Sequence, residues 1–77
     1  MTDFEKLQEI FREVFDDPDM VITRELCADD VDDWDSLAQM NLVANAETKF
    51  GIQFVLDDLL SWKNVGDFYD CIESKLR

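Results

Sequence analysis

Apolar residues recur at the three- and four-residue spacing of amphipathic helices in several segments of the chain. The first segment covers about residues 3 to 15, and its apolar positions are Phe4, Leu7, Ile10, Phe11, Val14 and Phe15. Thr2 and Glu5 fit a capping box, in which the two side chains satisfy free amides at the start of a helix. Pro18 ends the segment, because the residue before a proline avoids helical geometry.

The second helical segment begins at the end of an acidic stretch. Asp35 is a suitable N-cap, Ser36 then takes the first helical position, and the pattern continues to Phe50. Gly51 follows directly and suits the left-handed C-cap of a helix.

This second helix is apolar on two sides. We predict that one stripe faces the core, and it contains Gln39, Leu42, Val43, Ala46 and Phe50. The other stripe, formed by Leu37, Met40 and Ala44, then becomes an exposed apolar patch beside Ser36. Such a patch is either ordinary protein surface, which is always partly apolar, or a docking surface.

The remainder of the chain predicts one short helix and one longer helix. Residues 56 to 60 allow about two turns, although Val55 is a poor N-cap. Asn64 is a good N-cap for the last helix, whose apolar positions are Val65, Phe68, Tyr69, Ile72 and Leu76. Gly66 costs about 1 kcal/mol inside a helix relative to alanine, so we expect a close backbone approach there.

Residues 16 to 35 show no sustained period, and we predict a loop that Ile22, Leu26 and Val31 anchor to the core. The loop ends in an acidic run of Asp29, Asp30, Asp32, Asp33 and Asp35. This run departs from the EF-hand pattern, which needs a central glycine and a closing glutamate. A solvated acidic loop is therefore favoured, with weak divalent binding as the alternative and no metal site predicted.

Together these elements predict an all-α fold in a single domain over residues 1–77. The fold is a four-helix bundle, with three main helices, one short helix and a long loop between helices one and two. The predicted core contains Phe4, Leu7, Phe11, Leu42, Val43, Phe50, Val65, Phe68 and Ile72.

Composition narrows the classes of function. The chain has 77 residues and a formal net charge of −12, from seven basic and 19 acidic residues. This charge argues against binding to nucleic acid or anionic membranes and favours partners with basic patches. The absence of histidine removes the commonest general base and transition-metal ligand, so we predict no catalytic residue and no enzyme activity.

The apolar runs are too short for a membrane-spanning helix or a signal sequence, and the two cysteines, Cys27 and Cys71, form no CxxC pair. These features favour a cytoplasmic protein with two reduced thiols, and a single disulfide is the alternative.

The chain resembles acyl carrier proteins and the related peptidyl carrier domains over essentially its whole length. Asp35-Ser36-Leu37 matches the family's modification motif at a loop-to-helix junction. Downstream similarity comes from Leu42-Val43, Glu47, Phe50, Ile52 and from Asn64-Val65-Gly66-Asp67 at the start of the last helix. An isolated Asp-Ser-Leu tripeptide is a weak signal, but its position in an acidic chain of this size is much more specific.

The resemblance implies that Ser36 is the attachment point of a covalent 4′-phosphopantetheine arm. A phosphopantetheinyl transferase would install the arm from coenzyme A, and its terminal thiol would carry an acyl group as a thioester. Acyl-activating and acyl-transferring enzymes would be further partners of a monomeric carrier. The residues expected at the partner interface are Asp35, Leu37, Met40, Ala44 and Glu47.

This sequence differs from fatty-acid carriers in two respects. Its second helix is less acidic, with Glu47 beside Lys49, so partner recognition should depend more on shape than on charge. Trp34 precedes the motif at a position where fatty-acid carriers have a small residue. In this respect the chain is more similar to stand-alone carriers of polyketide, nonribosomal peptide or cell-envelope pathways. A peptidyl or aminoacyl carrier and an unmodified acidic interaction module remain alternatives.

Two alternatives also exist for the position of the acyl chain. Ala44 and Ala46 are small, and they either leave space for an acyl chain between the helices or face space that Trp62 or Phe54 fills.

Overall fold

A computed structural model describes residues 2–76 and contains four α-helices. They are α1 (Asp3–Val14), α2 (Ser36–Phe50), α3 (Leu56–Ser61) and α4 (Val65–Leu76). A single 3₁₀ turn, Ala28–Asp30, interrupts the long loop between α1 and α2. Residues 2–76 contain no strand, and the predicted all-α architecture with one short helix is confirmed.

The predicted caps of α1 and α4 form as hydrogen bonds. The Glu5 amide donates to Thr2 Oγ1 at 3.1 Å, and the Thr2 amide donates to Glu5 Oε1 at 3.3 Å. At the start of α4, the Asp67 amide donates to Asn64 Oδ1 at 2.9 Å. The helix α1 ends at Val14, one residue earlier than the sequence predicted.

The core is one cluster contributed by α1, α2, α4 and the long loop. Its buried members are Leu7, Ile10, Phe11, Ile22, Leu42, Ala46, Val65, Phe68 and Ile72. Phe4 and Phe50, both predicted core residues, are half-buried and pack against this cluster. Val43 is half-buried and is not a member of it, so its predicted place at the centre of the core is wrong.

The buried line of α2 differs in detail from the predicted stripe. Ala38, Leu42 and Ala46 are the buried residues, spaced four apart. Ala38 was not among the predicted core positions, because an alanine carries little hydrophobic signal. The two alanines of this line, Ala38 and Ala46, allow α2 to approach the core closely on either side of Leu42.

The long loop is held against the helices mainly through its backbone. The Ile22 amide donates to Gln8 Oε1 at 3.0 Å, and Arg12 Nε donates to the Met20 carbonyl at 2.7 Å. Ile22 is buried and Leu26 packs against the core, as predicted, whereas Val31 is half-buried and lies outside that cluster.

The same loop closes over the start of α4. The Val65 amide donates to the Leu26 carbonyl and the Gly66 amide to the Arg24 carbonyl, both at 2.8 Å. A Cβ at Gly66 would lie 3.0 Å from the Arg24 carbonyl oxygen. The close backbone approach that the sequence predicted at Gly66 is therefore confirmed.

Among the described residues, no helix combines the length and the apolar character needed to cross a membrane.

Candidate functional site

Trp34 fixes the end of the long loop just before Ser36. Its indole packs edge-on against Phe11 at a centroid distance of 5.3 Å and against Phe15 at 6.1 Å. Its Nε1 donates to Gln39 Oε1, one turn into α2, at 2.8 Å. Trp34 therefore links the end of the loop to both α1 and α2.

Asp35 then caps α2 and places Ser36 in the first helical position. The Ala38 amide donates to Asp35 Oδ1 at 2.9 Å, and the Gln39 amide donates to the Asp35 carbonyl at 2.9 Å. Ser36 itself is exposed. The start of a helix presents free amides and the positive end of the helix dipole, so a phosphate bound to Ser36 would be stabilised there.

A cleft of about 370 Å³ opens beside Ser36, between α2 and α3. Its lining is mostly apolar and consists of Ala28, Trp34, Ser36, Gln39, Met40, Leu56, Leu59, Leu60, Trp62, Lys63, Asn64 and Phe68. This volume lies at the low end of the roughly 300–1,000 Å³ typical of small-molecule sites.

The predicted apolar patch of α2 is exposed. Leu37 is 68% exposed and Met40 67% exposed, and Ala44 is also exposed one turn further on. Across the cleft, Leu56 and Leu60 of α3 are 70% and 75% exposed. The patch therefore continues from α2 onto α3, an extension that was not predicted from the sequence.

Glu47 has a different environment from the other residues of the predicted interface. Its side chain is half-buried, and Oε2 accepts a hydrogen bond from the Phe54 amide at 2.9 Å. The Glu47 carbonyl also accepts from the amides of Gly51 and Ile52. Glu47 thus holds the connection from α2 to α3 in place, and its role in partner binding stays a prediction.

The helix α3, which forms the far wall of the cleft, is held by one carboxylate. Asp58 Oδ2 accepts from the Val55 amide at 3.0 Å and pairs with Lys75 Nζ of α4 at 3.0 Å. The Val55 hydrogen bond and then the Lys75 interactions lower the pKa of the Asp58 carboxyl. Asp58 therefore supplies the N-terminal cap that Val55 cannot.

Cys71 lies on α4 near Trp62 and Asp58, where burial raises the pKa of its thiol and a weaker interaction with Trp62 opposes that shift. Cys27 and Cys71 are both free thiols. Within residues 2–76, no three His, Cys, Asp or Glu side chains are grouped so that they could hold a metal ion.

Two residues of the site have structural roles that were not predicted from the sequence. Trp62 lies between the last two predicted helices, and the sequence indicated it only as one of two side chains that could fill space beside Ala44 and Ala46. It forms a wall of the cleft and packs against the core. Asp58 was one of two acids in the short helix, and its place at the third helical position, where a carboxylate can bond the N-cap amide, was the signal that set it apart from Asp57. For Trp62, the available signal was a tryptophan between two helices. An indole is seldom left in solvent, so such a residue is expected to pack against the core.

Comparison with known proteins gives two matches. The family model described as "Phosphopantetheine attachment site" matches residues 5–72. The chain is also similar to the holo acyl carrier protein of Geobacter metallireducens, known from a solution NMR structure, with 47% sequence identity and a TM-score of 0.91. That match covers 99% of this chain and 87% of the other. A search of curated proteins gives no significant match.

Proposed function

The chain belongs to the phosphopantetheine attachment-site family, and we propose that Ser36 is the residue to which the arm is attached. Members of this family are carriers, and the chain is an acyl carrier protein with a covalent 4′-phosphopantetheine group, not an enzyme. It interacts with a phosphopantetheinyl transferase and with biosynthetic enzymes.

One observation carries the assignment to Ser36. Ser36 is exposed, follows a capping aspartate and stands at the start of a 15-residue helix. Ser61 and Ser74, the other two serines of the chain, are also exposed but lie in the last turns of α3 and α4. The negative end of the helix dipole would disfavour a phosphodiester at those positions.

The test is an intact-mass measurement after incubation with coenzyme A and a broad-specificity phosphopantetheinyl transferase. We expect the wild-type protein to gain one phosphopantetheine. Ser36→Ala should abolish the gain, while the matched controls Ser61→Ala and Ser74→Ala retain it. A gain that persists in Ser36→Ala would place the arm elsewhere, and no gain with several transferases would overturn the proposal.

Asp35 serves two roles in this proposal, as the cap of α2 and as a contact for the transferase. Asn caps a helix about as well as Asp, so Asp35→Asn keeps the cap and removes the charge, whereas Asp35→Ala removes both. We expect Asp35→Asn to slow modification with little change in melting temperature. Asp35→Ala should add a loss of about 1 kcal/mol in stability. Equal modification rates for wild type and Asp35→Asn would refute the contact role.

For the partner interface we propose the exposed residues Leu37, Met40 and Ala44 together with Asp35 and Glu47. Because Met40 is 67% exposed, Met40→Ala should leave stability nearly unchanged while weakening transfer to and from partner enzymes. Val21 is similarly exposed, at 68%, and lies in the long loop, so Val21→Ala is the matched control. Equal transfer by both variants would remove Met40 from the interface.

The cargo and the cellular setting complete the proposal. We propose a monomer that works as one domain in the cytoplasm and carries acyl intermediates of fatty-acid, polyketide or other specialised biosynthesis. The mostly apolar lining of the cleft beside Ser36 favours an acyl group over an aminoacyl group, because an ammonium group is poorly solvated there. Mass analysis of the protein purified after co-expression with its neighbouring genes would identify the acyl group.

A further inference from the structure

The back of the cleft beside Ser36 is closed by aromatic rings. Trp62 stacks on Phe68 with a centroid distance of 4.3 Å and an interplanar angle of 26°. Phe54 meets Trp62 edge-on at 5.1 Å and Phe68 at 5.8 Å. Behind them, Phe68 is only 2% exposed and lies 6.3 Å from the ring of Phe11. The rings therefore connect the cleft wall directly to the centre of the bundle.

Trp62 is held with its polar edge inside. Its Nε1 is buried and has no hydrogen-bond partner among the described residues, although a buried donor normally requires one. The nearby polar group is the Cys71 thiol, whose pKa is raised chiefly by burial and lowered by its interaction with Trp62. An indole that kept its N–H hydrated would lie nearer the surface, so its packing position is set by the rings and not by a polar contact.

The small residues of α2 do not leave an open channel behind these rings. Ala46 is completely buried and belongs to the core cluster against which Phe54 and Trp62 pack. Ala44 is exposed and lies on the other side of the helix. Space next to a buried alanine is available to a ligand only if no side chain occupies it, and here the aromatic group packs on that cluster.

We infer that Trp62 closes the interior of the bundle to the cargo, so that an acyl chain on Ser36 lies in the surface cleft. Trp62 is then a specificity-determining residue, because it sets how many carbons of the cargo are withdrawn from water. This inference rests on attachment at Ser36 as proposed above. Once the cleft of about 370 Å³ is filled, additional methylenes gain no burial and remain available to partner enzymes.

The inference is tested with holo-protein that carries butyryl, octanoyl and dodecanoyl groups. In the wild type, we expect amide shifts at the cleft residues Met40 and Leu59 and at the Trp62 indole. The core amides of Leu42, Ala46 and Ile72 should stay unchanged at every chain length. Core shifts that grow with chain length in the wild type would overturn the inference.

Trp62→Ala should open the interior. The dodecanoyl form should then shift the core amides, and cleavage of its thioester by hydroxylamine should slow about tenfold, since burying two methylenes favours the inserted state by about that factor. In the wild type the core amides should stay unchanged, and the cleavage rate should stop changing with chain length once the cleft is filled. Identical behaviour of wild type and Trp62→Ala would also overturn the inference.

Two further variants keep the test decisive. Trp62→Leu opens a smaller space and serves where Trp62→Ala does not fold. Val21→Ala, at an exposed apolar residue of the long loop that does not line the cleft, is the matched control and should behave as wild type. If no arm can be attached at Ser36, the proposed function fails and this inference fails with it. If the arm is attached but the core responds to the cargo, only the inference fails.

Discussion

The indole of Trp62 makes two opposing contributions to stability. Its rings pack on Phe54 and Phe68, while its buried Nε1 lacks a hydrogen-bond partner within residues 2–76. An unsatisfied buried donor costs about 1–3 kcal/mol, which offsets part of the packing gain. The position therefore needs a large ring more than it needs an indole.

We predict that Trp62→Phe changes the free energy of unfolding by less than about 1 kcal/mol, because it removes the unpaired donor together with some contact area. Trp62→Ala should cost about 2–4 kcal/mol, because it leaves a cavity among the rings. Urea denaturation measures both values. A Trp62→Phe loss as large as that of Trp62→Ala would mean that the N–H is satisfied by water.

The effect of a substitution at Gly66 also depends on the atoms packed around it. A Cβ there would lie 3.0 Å from the Arg24 carbonyl oxygen and 3.2 Å from Arg24 Cβ. The loop backbone cannot move away without losing the 2.8 Å hydrogen bond from the Gly66 amide. We predict that Gly66→Ala destabilises the protein by about 1–2 kcal/mol in thermal unfolding, even though alanine favours the helix by about 1 kcal/mol.

Gly51→Ala is the comparison for that prediction. Gly51 has a φ of +67°, and a Cβ added to it would meet no atom within 4 Å, so the cost of the substitution is backbone strain alone, about 1 kcal/mol. Hydrogen exchange separates the two variants. Gly66→Ala should expose the amides of the loop over residues 22–26, whereas Gly51→Ala should affect only the end of α2. Unchanged loop protection in Gly66→Ala would contradict the prediction.

At the level of elements, α3 depends on other parts of the chain more than the longer helices do. Its six residues are too few for an isolated helix to be stable in water. Asp58 caps it at Val55 and pairs with Lys75 of α4, and Lys75 Nζ also lies 5.8 Å from the ring centroid of Phe54. The position of α3, and with it the far wall of the cleft, follows from α4.

We predict that α3 loosens in acid before the buried core of the bundle. The pKa of Asp58 is lowered from its ordinary value of 3.8 by the Val55 hydrogen bond and by Lys75. A lowered carboxyl pKa gives stability that is present above the unfolded value and is lost as the pH falls through the folded value. Amide shifts of α3 should therefore change below about pH 3.8, while those of the buried residues Leu42 and Ala46 of α2 change at lower pH.

Asp58→Asn should reproduce this loosening at neutral pH. The amide of asparagine still accepts a hydrogen bond but loses the charge that pairs with Lys75. Asp57→Asn, on the same helix and exposed, is the matched control and should leave the α3 shifts unchanged. If both variants behave alike, the loosening follows from the loss of any negative charge on α3 and not from the loss of the Asp58–Lys75 pair.

At the scale of the whole molecule, charge opposes compactness. A net charge of −12 is spread over a body of about 30 × 28 × 20 Å. At 10 mM ionic strength the Debye length is about 30 Å, so almost all of these charges repel one another. The core has to overcome this repulsion, and screening relieves it.

We predict that raising NaCl from 10 to 200 mM increases the melting temperature by about 5 °C, which corresponds to roughly 1 kcal/mol for a domain of this size. A variant with Asp29, Asp32 and Asp33 changed to Asn should melt higher at low salt and respond less to NaCl. These side chains are exposed, so the core stays the same in both proteins. A melting temperature that is flat with salt would show that the charge is already screened.

The sequence by itself determined whatever depends on neighbours along the chain. The caps at Thr2, Asp35 and Asn64, the C-cap at Gly51 and the position of Ser36 at a helix start are set by residues within a few positions. Their physical basis is local, because a cap needs one side chain and one amide three residues away. The charge and the lack of histidine limited the function in the same direct way.

Only the tertiary structure decided what depends on residues distant in the chain. The loop carbonyls that bind the start of α4, the Asp58–Lys75 pair and the stack of Trp62 on Phe68 all join different elements. Hydrophobic periodicity shows that a side chain is apolar but not which partner fills the space beside it, because packing is decided by shape in three dimensions. For that reason the sequence placed Ser36 at a helix start but left open whether the cargo or an aromatic side chain, Trp62 or Phe54, fills the space beside Ala44 and Ala46.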